Sequence, residues 1–104
     1  VQGGVGSTKQ LNVPPVQTHT NPRGEGFALA WAPTTEGRLL AGDCGGGIHI
    51  FNPSGTSGQW QVSAISDAPA TSVEDLQWSP VEAQVFASCS SSGTVSVWDA
   101  RKKR

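Results

Sequence analysis

The chain has 104 residues and a net charge of −1, so it carries no global field that would draw it to nucleic acid or an anionic membrane. Its 13 Gly and 7 Pro, with only 14% charged residues, exclude long helices and suit short strands joined by tight turns. No apolar run approaches the ~18 residues of a bilayer span, so no membrane partner is expected. Cys44 and Cys89 form no CxxC pair and read as reduced, structural thiols.

Along the chain, residues 1–10 are Gly-, Gln- and Ser-rich and read as a linker or loop. Pro14-Pro15 exclude a central strand over 11–20 but leave room for an edge strand around Val16 to His19. Gly26 to Trp31 is a compact apolar run ending before Pro33, and predicts a buried strand. Leu39 to Ala41 opens a second strand, taken over 39–44. Gly45-Gly46-Gly47 permit positive φ and make a hairpin turn. Ile48, His49 and Ile50 alternate as a third strand over 48–51, and Asn52 to Gly58 is turn chemistry. Trp60, Val62 and Ala64 alternate as a fourth strand over 60–65. The cycle then restarts, with strands at Val73 to Trp78, Val85 to Cys89 and Thr94 to Trp98 and a turn at Ser90-Ser91-Ser92-Gly93. A basic tail, Arg101 to Arg104, follows.

The restart is a repeat. Leu29-Ala30-Trp31-Ala32-Pro33 recurs as Leu76-Gln77-Trp78-Ser79-Pro80, Gly46 as Gly93 and Phe51 as Trp98, each 47 residues on and without a gap. Fixed spacing marks a repeat architecture in which one unit cannot bury its apolar face alone. Four short antiparallel strands per unit predict propeller blades, whereas a sandwich predicts no internal repeat. The expected fold is all-β, two consecutive four-stranded antiparallel blades of a β-propeller. Residues 1–23 are assigned to a linker and the outer strand of a preceding blade, 24–70 to one blade, and 71–104 to a second, incomplete blade with the basic tail. Two blades close no ring, so Leu29, Trp31, Leu76 and Trp78 are expected to be partly exposed. Neighbouring blades or further copies of the chain would cover them.

Val97-Trp98-Asp99, after Ser88-Cys89-Ser90 and Gly93, resembles the WD-repeat β-propellers, with Ile50-Phe51-Asn52 as a degenerate copy. The segments Gly24 to Trp31, Gly37 to Cys44, Ser72 to Pro80 and Val85 to Ser90 are similar to the glutamate-rich WD-repeat proteins. That group is itself similar to the retinoblastoma-binding histone-chaperone propellers. The resemblance implies a seven-bladed propeller of the nucleus and nucleolus. It also implies an assembly chaperone that escorts a large-subunit ribosomal protein in ribosome biogenesis and binds histones, that is, basic protein clients. Asn21-Pro22 and Ala68-Pro69 stand where the family usually has Gly-His, and Ser92 where it has a turn Asp. The hydrogen-bonded set that staples a blade is therefore expected to be broken in both copies.

No catalytic constellation is visible. His19 and His49 sit in no pairing spacing with an acid, and metal-ligand spacing is absent. The Gly-rich run leads into a strand, not a helix, so it makes no phosphate cradle. A non-enzyme without cofactor or metal is expected. Glu25, Phe27, Glu74 and Asp75 stand at the entrance of the innermost strands, where the resemblance implies contact with basic peptide segments. Carboxylates there can pair with Arg or Lys, and an aromatic can cover the aliphatic stem of a basic side chain. An alternative role rests on Trp98-Asp99-Ala100-Arg101, which fits the Trp-Asp-x-Arg pattern of substrate receptors of cullin-type ubiquitin ligases, with Trp98, Asp99 and Arg101 as the adaptor contacts.

Overall fold

The computed structural model describes residues 13–21, 24–55, 58–65 and 71–102. The alternating segments form β1 (Gly26–Trp31), β2 (Leu39–Asp43), β3 (Ile48–Pro53), β4 (Trp60–Ile65), β5 (Val73–Trp78), β6 (Val85–Ser90) and β7 (Val95–Asp99). They pair antiparallel in sequence order, β1-β2-β3-β4 in one sheet and β5-β6-β7 in the other. The architecture is all-β, that of propeller blades. No helix occurs among the described residues, and so none long and apolar enough to cross a membrane. The expected linker, Pro22, Ala68-Pro69 and the last two tail residues lie outside the described residues.

The two blades are built alike down to single turn bonds. Asp43 N–H donates to Gly47 O at 3.0 Å, and Ser90 N–H to Thr94 O at 3.0 Å, one repeat later. Gly46 and Gly93 close these hairpins at φ 91° and 87°, a left-handed conformation that glycine adopts at little cost. Val16 to His19 forms no strand. Instead the Gln17 side-chain amide clamps the backbone of Trp60, accepting from its N–H at 2.7 Å and donating to its carbonyl at 3.0 Å. The clamp occupies the outward N–H and carbonyl of Trp60 on β4 with a side chain in place of a main-chain ladder.

The core lies in the seam between the sheets. Ala28, Leu40, Ile48 and Ile50 of the first blade bury against Val73, Leu76, Trp78 and Phe86 of the second. This corrects the expectation that both repeats leave their inner-strand side chains wet. Leu76 and Trp78 are buried, while Leu29 and Trp31 are exposed, because only the second blade has a neighbour against that face. Arg38 closes one end of the seam, with its guanidinium 4.8 Å above the Trp78 ring and Nη1 donating to Ala83 O at 3.2 Å. Its burial lowers its pKa.

Gly42 lets the blades approach. A Cβ at Gly42 would lie 2.6 Å from Val73 Cγ1 and 3.2 Å from Leu76 Cδ1. Gly42→Ala should therefore destabilise the fold by about 1–3 kcal/mol through overpacking. A urea unfolding midpoint measures it. Gly42→Ala combined with Val73→Ala should recover part of the loss.

Candidate protein-binding rim

β1 and β5 are the strands that face each other across the seam, and both carry a bulge at the same point. The β1–β2 register skips between Gly26 and Ala28, and the β5–β6 register skips between Val73 and Asp75. The extra residues are Phe27 and Glu74, one repeat apart. A bulge leaves one residue out of the ladder and re-aims its side chain. Both side chains are exposed, Phe27 to 58% although it is a large apolar ring. Glu25 is exposed one step before the first bulge, and its carbonyl accepts from Cys44 N–H at 2.8 Å. Ser72 O takes the same bond from Ser91 N–H at 2.9 Å in the second blade. Glu25, Phe27 and Glu74 are thus exposed at or just before the two bulges.

Asp75 departs from them. It pairs opposite Cys89, which pairs opposite Val95, so it stands on the outward face of the second blade with those two residues. Its Oδ1 accepts from Leu76 N–H at 2.9 Å.

Next to the rim, the first hairpin turn is organised by a residue absent from the sequence-derived sites. The Asp43 carboxylate is 2% exposed. Oδ1 accepts from Gly45 N–H and Gly47 N–H, each at 2.8 Å. Oδ2 meets His49 Nε2 at 3.1 Å and accepts from the Asn21 side-chain amide. His49 is therefore paired with an acid, contrary to the reading from spacing. The partner lies six residues back, brought close by the hairpin. Burial pushes the Asp43 pKa up, but bonds from Gly47, His49, Gly45 and Asn21 together outweigh it and hold the carboxyl below its usual range.

Arg101 folds back on its own turn. Its Nε donates to Asp99 Oδ1 at 2.9 Å and its Nη2 to Asp99 Oδ2 at 2.7 Å, with the Arg101 N–H adding a bond of 3.0 Å. These bonds hold the Asp99 carboxyl well below the usual carboxylate range and raise the Arg101 pKa. Among the described residues, no group of three His, Cys, Asp or Glu is placed to hold a metal ion.

No family model matches the chain. The chain is 50% identical over 101 residues to Protein HEAT STRESS TOLERANT DWD 1 of Arabidopsis thaliana, covering 96% of this chain and 21% of that protein. It is 44% identical over 90 residues to Glutamate-rich WD repeat-containing protein 1 of Dictyostelium discoideum, covering 86% and 18%. It is 43% identical over 91 residues to Ribosome assembly protein rrb1 of Schizosaccharomyces pombe, covering 86% and 18%. The homologues of this chain are WD-repeat proteins. The chain spans about a fifth of the length of these curated relatives.

The two WD-repeat blades are stapled differently. In the second, Trp98 Nε1 donates to Ser88 Oγ at 2.8 Å, and hydroxyls link Ser90 to Ser92 at 2.7 Å and Ser92 to Thr94 at 3.2 Å. In the first, Phe51 and Ala41 replace that Trp and Ser and can make no such bond, and the Asp43 set takes over. The expectation that stapling is lost in both WD repeats is thus corrected. The signal was present in the sequence, an Asp opening a Gly-rich turn with a His on the following strand.

Proposed function

We propose that the chain is part of a non-catalytic WD-repeat scaffold in ribosome assembly, in the nucleus and nucleolus, and that its Glu25–Phe27–Glu74 rim binds a basic protein client. The observation that carries this reading is the pair of matched bulges. They turn an aromatic and a carboxylate outward at the same register of two strands that face each other. A Lys- or Arg-rich segment laid across them meets carboxylates on either side of a ring that covers aliphatic stems. The relatives named for ribosome assembly and for Glu-rich WD repeats support the setting. A large-subunit ribosomal protein or a histone has the required chemistry.

Rim ion pairs are individually weak, roughly 0–1 kcal/mol, so affinity must come from several pairs plus burial of Phe27. Charge then acts mainly on the encounter rate. Glu25→Lys with Glu74→Lys should slow association with a ribosomal protein or core histones, and Phe27→Ala should mainly raise the dissociation rate. Surface-based kinetics at two salt concentrations read both. Unchanged rates in both variants would remove this rim as the client site.

The ubiquitin-ligase reading depends instead on Arg101, whose fork is occupied by Asp99. Arg101→Ala should leave client binding intact. If it alone abolished the main interaction, the chaperone reading would be wrong.

A further inference from the structure

The two hairpin turns have one backbone and two chemistries. Asp43, Gly45, Gly47 and His49 of the first correspond, one repeat on, to Ser90, Ser92, Thr94 and Ser96 of the second. Besides the matched bonds from Asp43 and Ser90, Gly46 N–H donates to Asp43 O at 3.3 Å and Gly93 N–H to Ser90 O at 3.0 Å. In the first turn this backbone holds an anion. The Asp43 carboxylate draws Gly45 N–H and Gly47 N–H onto one oxygen, each at 2.8 Å. Backbone amides turned toward one point make a cradle for negative charge.

The second turn has the cradle without the charge. The amides equivalent to those of Gly45 and Gly47 are those of Ser92 and Thr94. Ser90, in the place of Asp43, brings only a hydroxyl, which meets Ser92 Oγ at 2.7 Å, and Ser92 Oγ meets Thr94 Oγ1 at 3.2 Å. Residues 88–98 contain no charged side chain at all. Ser91, Ser92 and Thr94 are exposed, and the Ser90–Ser92 bond is itself at the surface, so an enzyme can reach the turn.

We infer that Ser90 is a phosphorylation site, and that its phosphate takes the place in the second turn that the Asp43 carboxylate holds in the first. The other hydroxyls of the turn do not stand at that place, since Ser91, Ser92 and Thr94 correspond to Cys44, Gly45 and Gly47. The reaction needs a protein kinase and a nucleoside triphosphate. Ser90 Oγ forms a bond to the γ-phosphorus, the bond from that phosphorus to the bridging oxygen breaks, the hydroxyl proton passes to the kinase's base, and nucleoside diphosphate leaves. The product carries a charge of about −1.5 to −2 near neutral pH and three acceptor oxygens. The Ser92 and Thr94 amides become its donors, with the Ser96 hydroxyl at the position of His49. Charge-assisted bonds of this kind are stronger than the hydroxyl contacts they replace. Phosphorylation thus staples the second hairpin as Asp43 staples the first, whatever the rim binds.

The test installs phosphoserine at position 90 by cotranslational incorporation. The unfolding constant from urea titrations should fall about tenfold against the unmodified chain. Ser90→Asp should move it the same way, and Ser90→Ala should bring no gain. Phosphoserine at position 91, the equivalent of Cys44, serves as the misplaced control and should bring no gain either. Phosphorus NMR should show the phosphate of position 90 losing its second proton at lower pH in the folded chain than in concentrated urea, because N–H donors favour the dianion. The amide protons of Ser92 and Thr94 should move downfield across that same titration. In the full-length parent protein, isolated from its own cells with phosphatases inhibited, fragmentation mass spectrometry should place a phosphoryl group on Ser90. A phosphorylated chain no more stable than the unmodified one would overturn the inference. A phosphate that titrates alike in folded and unfolded chain would do the same, as would a parent protein unmodified at Ser90.

Discussion

Trp78→Ala should destabilise the chain by about 4 kcal/mol, more than any other single truncation in the molecule. The side chain is 4% exposed and sits in the seam that holds the two sheets together. Its removal leaves a cavity beside Phe86, whose ring centroid is 5.4 Å away at an edge-on angle. It also strips the Ala30 carbonyl of the indole N–H that donates to it at 3.0 Å. The buried Arg38 guanidinium loses the ring beneath it as well. A domain of this size holds roughly 5–15 kcal/mol in total, so the variant should be largely unfolded near physiological temperature. Trp78→Phe keeps most of the volume and loses the donor, and should cost about 1–2 kcal/mol. Denaturant midpoints for the pair separate the packing share from the hydrogen-bond share. A loss below that of Trp78→Phe in the Ala variant would show that the seam does not carry the fold. The repeat-equivalent Trp31→Ala, at an exposed position, serves as the internal control.

Asp43→Ala should cost about 3 kcal/mol, because one carboxylate satisfies two turn amides, an Asn amide and a His ring, all of which would lose their acceptor at once. Asp43→Asn should recover little, since its amide nitrogen would face donors. The effect has a definite pH dependence. The folded carboxyl lies below the ordinary value of 3.8, so its contribution is complete above that value. It is lost as pH falls through the lower folded value. The stability gap between parent and Asp43→Ala should thus be constant from neutral pH down to about pH 5, then shrink in stronger acid. Chemical unfolding along a pH series checks this. A gap that widened below pH 4 would mean that Asp43 is not held as a carboxylate.

The expected strands β1, β4 and β5 match the observed ones, and the other four differ by one or two residues at their ends, because each rests on local alternation and on turn residues that punctuate it. The rim was partly legible. Glu25, Phe27 and Glu74 could be placed at strand entrances from the repeat alone. That Phe27 and Glu74 are bulged could not be read, since a bulge is a mismatch in count between two strands and belongs to their pairing. The same register places Asp75 opposite Cys89, which the repeat alone did not show. The Asp43 set lay hidden because its members are spread from Asn21 to His49 and meet only when the hairpin closes.

Sequence by itself therefore determined the repeat, its 47-residue period, the all-β class and the WD-repeat kinship, all of which are properties of residue order. Tertiary structure alone decided which face of each blade is buried. Leu29 and Leu76 have the same chemistry and the same place in their strands, yet one is exposed and the other lies in the core. Burial is a property of the neighbour, and only the packing of one sheet on the next tells the two apart.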